Sequence, residues 1–445
     1  MTVMPFPPLA IDLLVTAGSI VPIEPAGVVL EHHALAVDQG RILAVLPIAE
    51  ARKRYQPRKL IDLPGHALMP GLVNMHTHSA MTLLRGIADD LPMMDWLQGH
   101  IWPAEAANMN YEFCRDGVRL AMAEMIRGGQ TCFNDMYFFP DASAAAAQEA
   151  GMRAAVGLIV IDFPSAWAKA GEYIHKGLAL RDSLRGKPLI KTTFAPHAPY
   201  TVSDDLMRQV RQYATELGIP INMHIHETAF EVEQAVAQTG KRPWQRLREL
   251  DMLGPDLIAV HMTQLTEQEV EEVAHYGVHV AHCPESNLKL VSGFCQVHKL
   301  LQAGANVCIG TDGAASNNDL DLFSELRTAS LLAKGVSGDA RALPAAKALE
   351  MATLAGARAL GWDDQIGSLL PGKAADFIAI DMSALNTQPV YNVISHLVYA
   401  INSRQVDHVW VAGQALLADG QLQTLVEDEL RAKAGEWRHK ITGKV

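Results

Sequence analysis

Short apolar runs separated by helical patterns fill the middle of the chain. Eight have the length and texture of strands: LMPGLVNMH (68–76), TCFNDM (131–136), RAAVGLIVI (153–161), LIKTTFA (189–195), IPINMHIH (219–226), LIAVH (257–261), VHVAHC (278–283) and NVCIGT (306–311). They are nearly continuous in apolar residues rather than alternating, which suits strands buried on both faces of a parallel sheet. The helical stretches between them carry their own punctuation. YEFCRDGVRLAMAEMIR stops at Gly128-Gly129, and VSDDLMRQVRQYATEL has Ser203 as N-cap and stops at Gly218. Thr266 and Glu269 form a capping box opening EQEVEEVAHY, and Pro344 stands at the first helical position ahead of AAKALEMATLAGARAL. Eight strand-then-helix units predict a closed (β/α)8 TIM-like barrel, an α/β fold.

The two ends have a different texture. LLVTAG, HALAVD and RILAVL near the start, and AADFIAID and VDHVWVAG near the end, are short β-like segments. Gln39-Gly40 and Asp419-Gly420 mark hairpin turns. Neither end is large enough for a stable sheet alone, so both are expected to pair into one small β-sandwich beside the barrel. The expected division is 1–67 for the first part of the sandwich and 68–366 for the barrel. Residues 367–445 complete the sandwich and add a solvated amphipathic C-terminal helix.

Composition narrows the function classes. The chain has 445 residues, of which 49% are hydrophobic, with a net charge of −12 from 37 basic and 49 acidic residues. That balance argues against nucleic acid or an anionic membrane as partner. The start, MTVMPFPPLAIDLLV, lacks the basic region of a signal peptide, and no apolar stretch approaches the length of a membrane helix. The five cysteines form no C-x-x-C pair, as expected of a reduced, cytoplasmic protein. A small-molecule partner follows, and a homo-oligomer is compatible with this composition. The string GSLLPGKA (367–374) nearly matches a phosphate-binding loop, but Ala374 stands where Ser or Thr would hold Mg²⁺ and a strand follows.

The 18 histidines direct attention to metal or proton chemistry. His76 and His78 end the first barrel strand in NMHTH, and residues two apart on a strand face the same side. Imidazole nitrogen suits Zn, Fe, Ni or Cu. His224 and Glu227 close the fifth strand, His261 the sixth and Asp312 the eighth. Strand ends of a barrel converge on one mouth, where active sites sit. His197 and His282 close two further strands, while Lys191 lies about 20 Å before His197 at about 3.3 Å per residue, at the wrong end for a second metal. Alternation leaves His226 as a rival to His224.

The motifs PGLVNMHTH, HIHETAFE, HMTQL, SNLKL and GTDGAASNN resemble the amidohydrolase superfamily. More narrowly, they resemble its branch of methylthioadenosine/S-adenosylhomocysteine deaminases and chlorotriazine hydrolases. The resemblance covers almost the whole chain and implies the same barrel with a β-sandwich built from both termini. It implies that His76, His78, His224 and Asp312 hold one divalent metal, Zn²⁺ foremost, with Fe²⁺, Ni²⁺ or Mn²⁺ as alternatives. The ligand-to-acid spacing of three selects His224 over His226. Asp312 would accept the proton of the attacking water, Glu227 would protonate the ring nitrogen, and His261 would orient the nucleophile. Glu227 and Asp312 would thereby also touch substrate. Glu105 in IWPAE resembles the glutamate that takes ribose hydroxyls, and His197 the substrate-binding histidine.

The implied reaction is hydrolytic deamination of a 6-aminopurine nucleoside, 5′-methylthioadenosine foremost, with S-adenosylhomocysteine or adenosine as further substrates. One departure bears on that order. Leu158 stands where members that handle S-adenosylhomocysteine well carry an arginine, which favours an apolar 5′ substituent. The rival readings are a deaminase or dechlorinase of a free heterocycle (guanine, cytosine, a triazine) and a non-catalytic metal-binding homologue. Retention of both Glu227 and Asp312 argues against the last.

Overall fold

The computed structural model describes residues 7–443; the first six residues of the N-terminal segment weighed as a signal peptide lie outside them. The N-terminal zone forms β1 (Leu9–Ile20), β2 (Leu30–Asp38), β3 (Arg41–Pro47) and β4 (Tyr55–Pro70). Eight barrel strands follow: β5 (Leu72–Thr77), β6 (Gln130–Asp135), β7 (Arg153–Val160), β8 (Ile190–Pro196), β9 (Ile221–Ile225), β10 (Leu257–His261), β11 (His279–His282) and β12 (Val307–Ile309). The C-terminal zone gives β13 (Phe377–Asp381), β14 (Val406–Val411), β15 (Gln414–Ala418) and β16 (Gln421–Leu422).

β5 to β12 are hydrogen-bonded in sequence order and parallel, the arrangement expected from eight strand–helix units. The seam between the first and last strands closes through the chain that follows β12. The Asp312 amide donates to the His76 carbonyl at 2.9 Å, and the Thr311 amide to Asn74 Oδ1 at 3.1 Å. Gly310 permits this approach, because a Cβ there would lie 2.7 Å from the His76 nitrogen.

Both chain ends meet in one eight-stranded sheet, ordered β16-β15-β14-β13-β4-β1-β2-β3. The join is antiparallel pairing of β13 with β4, from Phe377 opposite Pro70 to Asp381 opposite His66. Leu13, Val15, Leu35 and Val37 share an apolar cluster with Phe377, Ala379 and Trp410, so neither end could bury its strands without the other. The apolar run 68–76 therefore serves two sheets. It breaks at Gly71, with 68–70 in β4 and the barrel beginning at Leu72.

Other local expectations shift by a residue or a partner. Pro344 takes the N-cap position rather than the first helical one. The pattern behind it breaks into Ala345–Met351 and Leu354–Ala359, because Thr353 leaves helical geometry and its hydroxyl bonds the Leu349 carbonyl at 2.6 Å. Ser203 precedes its helix, but its hydroxyl donates to Asp162 instead of capping. Thr266 and Glu269 do form the reciprocal capping box. Lys373, from the string resembling a phosphate loop, is buried against Ser368 and Glu24. The C-terminal helix Glu427–Thr442 is docked rather than free: Trp437 is buried against Phe113 and donates to Asp116 at 2.9 Å.

A buried ion pair ties the terminal sheet to the barrel floor. Arg153 at the start of β7 grips Asp376 through two bonds of 2.9 and 3.1 Å, and its guanidinium lies 5.3 Å from the Trp362 ring. Removing one partner of a buried pair leaves the other charge uncompensated, at a cost of about 3–5 kcal/mol. Arg153→Met is therefore expected to lower the unfolding free energy by about that amount, and Arg153→Met/Asp376→Leu to recover most of it. Urea unfolding of both variants reads the difference; equal loss in single and double variants would contradict it.

Candidate metal centre and its surroundings

Four strand ends bring the histidines and Asp312 together at the carboxyl end of the barrel. The rings of His76 and His78 lie 4.8 Å apart and nearly perpendicular. His224 comes from β9, with its ring 4.8 Å from His76 and 5.3 Å from His78. Asp312 Oδ1 stands 3.3 Å from His78 Nε2 and 3.6 Å from His76 Nε2. His261 stacks beside His224 at 5.4 Å.

Hydrogen bonds behind the rings decide which nitrogen faces the cluster. A carbonyl only accepts, so His78 Nδ1 donates to the Met136 carbonyl at 2.5 Å and His224 Nδ1 donates to the His197 carbonyl at 2.8 Å. His261 Nδ1 is held by Asn287 Oδ1 at 2.8 Å. In each case Nε2 is left as a lone pair aimed inward. Burial pushes the His76 pKa down to about 4, partly offset by Asp312, and burial with the neighbouring rings takes His224 well below the usual histidine range. These two rings, His76 and His224, are therefore neutral at physiological pH, the form that binds metals.

His76 Nε2 and His224 Nε2 face each other at 3.1 Å. His76 Nδ1 has no hydrogen-bond partner among the described residues, so the close approach of the two nitrogens is closed either by a proton on His76 Nε2 or by a cation between them. The donor atoms of His76, His78 and Asp312 all lie within 4.8 Å of one another, and so do those of His76, His224 and His261. Three imidazoles and one carboxylate suit a divalent transition metal, so the residues present fit the group the sequence implied. Burial raises the pKa of Asp312, but the facing His76 and the neighbouring His78 and His261 rings outweigh it and hold the carboxyl well below its ordinary range. Its Oδ2 also accepts the Ser286 hydroxyl at 2.6 Å.

Glu227 follows β9 by two residues and is buried, with Oε2 3.7 Å from His261 Nε2. Burial raises its pKa, Asp312 adds to this, and His261 opposes it. Glu105 lies farther out, half-buried on the helix Trp102–Asn108, and accepts the Tyr137 hydroxyl at 2.5 Å. Tyr137 in turn places its ring 6.4 Å from that of His78. The ring of His197 lies 4.9 Å from His224, with Nδ1 against the Thr201 hydroxyl, and burial takes its pKa down to about 3. His282 is buried at the end of β11; both its ring nitrogens lack a hydrogen-bond partner among the described residues.

Two residues weighed in the sequence do not join this group. His226 turns away, because its φ of +53° breaks the alternation, and its Nε2 accepts the Trp244 amide. Lys191 sits at the other end of the barrel, bonding the Gly361 carbonyl over the Trp362 ring. Leu158 corrects the sequence reading. Its side chain packs against Gly177 of the surrounding helix, with a contact to the position of a Gly177 Cβ of 3.1 Å. It points into the helix layer rather than into the barrel, so it gives no support for an apolar 5′ substituent.

Ser286 and Asn287 are the functional neighbours that residue chemistry alone did not single out. Their signal lay in SNLKL, where consecutive side chains hold Asp312 and His261. The site also concentrates backbone strain: His226, His261, Met262 and Asp312 have φ of +53°, +75°, +52° and +61°. Left-handed geometry at such residues costs roughly 1–3 kcal/mol each and persists where function needs it.

The chain is similar to known proteins over nearly its whole length. The amidohydrolase family matches residues 67–416. A protein of Saccharophagus degradans named 5-methylthioadenosine/S-adenosylhomocysteine deaminase is 52% identical over 431 residues, covering 97% of each chain. One of the same name from Teredinibacter turnerae is 49% identical over 98% of each chain. The crystal structure of an adenosine deaminase from Xanthomonas campestris with bound zinc superposes with a TM-score of 0.97 at 56% identity, covering 98% of this chain and 99% of that one. An atrazine chlorohydrolase from Arthrobacter aurescens shares the fold, with a TM-score of 0.88 at 23% identity over 96% of this chain and 99% of that one. With the family match spanning most of its length and relatives this similar over nearly all of it, the chain belongs to the amidohydrolase family.

Proposed function

We propose that the protein is a metal-dependent aminohydrolase that converts 5′-methylthioadenosine and water to 5′-methylthioinosine and ammonia. Adenosine and S-adenosylhomocysteine, which share the 6-aminopurine nucleoside, belong to the same substrate class. The observation that carries this reading is the placement of Glu227 and His261 beside the His76, His78, His224 and Asp312 cluster. The names of the full-length relatives put methylthioadenosine and S-adenosylhomocysteine in this class. Boundaries near residues 67 and 367 separate the hydrolytic barrel from the terminal β unit.

In this reading His76, His78, His224 and Asp312 hold one divalent ion, zinc foremost. Bound there, it supplies a water acidic enough to attack at neutral pH. Asp312 takes the water proton through the oxygen not held by Ser286. Glu227 gives its proton to the ring nitrogen beside the attacked carbon; a carboxyl with a raised pKa suits that task. His261, fixed by Asn287, polarises the tetrahedral adduct before ammonia leaves. Glu105 offers two acceptor oxygens to the vicinal ribose diol, and His197 lines the base pocket. The substrate is a small molecule. No helix among the described residues is long and apolar enough to cross a membrane. Five buried, unpaired cysteines fit a cytoplasmic setting.

A panel assay following ammonia tests this directly, with methylthioadenosine, adenosine, S-adenosylhomocysteine, guanine and a chlorotriazine. The nucleosides are expected to turn over and the free heterocycles not; activity confined to free heterocycles would overturn the reading. Chelation should abolish turnover and added zinc restore it. Glu105→Gln should lower kcat/KM for methylthioadenosine by about 10–100-fold, the worth of one charge-assisted bond of 1.5–3 kcal/mol.

A further inference from the structure

We infer that Glu231 is a positioning residue that aims Glu227, an inference that rests on reading Glu227 as the proton donor. β9 ends at Ile225, and His226 then adopts the left-handed backbone with φ +53°. That single turn sends the His224 and Glu227 side chains to the cluster while the His226 ring points elsewhere. Extended backbone at His226 would continue the alternation and carry Glu227 away from His261.

Glu231 holds the turn from one side. Its Oε1 accepts the His226 amide at 3.2 Å and its Oε2 the Glu227 amide at 2.7 Å. Two adjacent N–H groups need two acceptors on one rigid side chain. Among side chains of this length only a carboxylate supplies them, since glutamine turns an N–H₂ towards one of the amides. Glu231 is itself fixed: it is buried in the first turn of the helix Ala229–Thr239, and its amide donates to the capping hydroxyl of Thr228 at 3.1 Å. From the other side the Thr263 hydroxyl lies 2.6 Å from the Glu227 carbonyl and 3.2 Å from that of His226. The Thr263 amide bonds the His226 carbonyl at 3.0 Å. The peptide group between His226 and Glu227 is thus held at both ends, its N–H by Glu231 and its carbonyl by Thr263, and the peptide groups on either side of it are each held once more. Burial and the nearby Glu227 carboxyl push the Glu231 pKa up to about 7, against the pull of the two amides it accepts from.

A double-mutant cycle tests the inference in the metal-loaded enzyme, using wild type, Glu231→Gln, Glu227→Gln and the double variant with methylthioadenosine. Glu231→Gln is expected to lower kcat about 10–100-fold, with KM within about threefold and metal content unchanged. In the Glu227→Gln background the same change should cost less than about twofold, because the residue it aims is already disabled. Equal fractional losses in both backgrounds, or no loss of kcat, would overturn the inference. Glu231→Asp, put through the same cycle, serves if the glutamine variant does not fold. Amide hydrogen exchange gives a readout independent of turnover: the His226 and Glu227 amides should exchange at least about tenfold faster in Glu231→Gln. Unchanged protection there refutes the clamp even if the wild-type protein deaminates none of the nucleosides, a result that would strike the functional reading instead.

Discussion

Asp312→Asn is expected to lower kcat for methylthioadenosine by about four orders of magnitude, the upper range for removing a general base. The substitution keeps the size and one carbonyl oxygen, and the Ser286 hydroxyl retains a partner. What disappears is the carboxylate charge facing His76 and His78, together with the oxygen that the proposed mechanism uses to take a proton from water. Metal content should fall as well, since the one anionic ligand beside His76 and His78 becomes a neutral amide. Steady-state kinetics and elemental analysis of the same preparation read both effects. A loss of activity below tenfold would remove Asp312 from the proton-accepting role.

The second large effect is expected from Glu227→Gln, about 10³-fold in kcat with metal content intact. Here the pH profile is more telling than the rate. Glu227 acts as a donor only while protonated. Burial and the negative Asp312 raise its pKa, with His261 pulling the other way. The wild-type rate should therefore hold at low pH as far as Glu227 is concerned, and fall as pH rises through that raised value. Glutamine has no proton to lose, so this alkaline limb should vanish from the residual activity. A limb that survives the substitution would assign the titration to another group.

The barrel was legible because its eight strands are apolar runs of strand length set off by Gly, Pro and capping residues, a pattern that belongs to local chemistry. The pairing of the two chain ends was legible for a similar reason: each end had too few strands to bury its own apolar face. Assignments that depend on backbone angle were not legible. Strict alternation made His226 and His224 equivalent, and only the left-handed turn at His226 separates them. The break at Gly71 was hidden inside one apolar run, because strands of both sheets are apolar on both sides of it. Leu158 misled because an alignment position says nothing about which face of β7 a side chain occupies. Ser286 and Asn287 gain meaning only through partners 26 residues away in each case, Asp312 and His261, that the fold brings to them.

The pairing of β4 with β13 has a consequence for the newborn chain. The apolar stretch 66–70 leaves the ribosome early, yet the strand that covers it, Phe377–Asp381, is made last among its neighbours in that join. Roughly 300 residues separate the two, so at about 5–20 residues per second this edge waits on the order of 15–60 seconds with open amides and carbonyls. During that interval it is a template for any other unpaired strand. Completion of synthesis, rather than collapse of the barrel, is what retires the hazard, and a transcript cut short before Phe377 yields a chain that can never cover it.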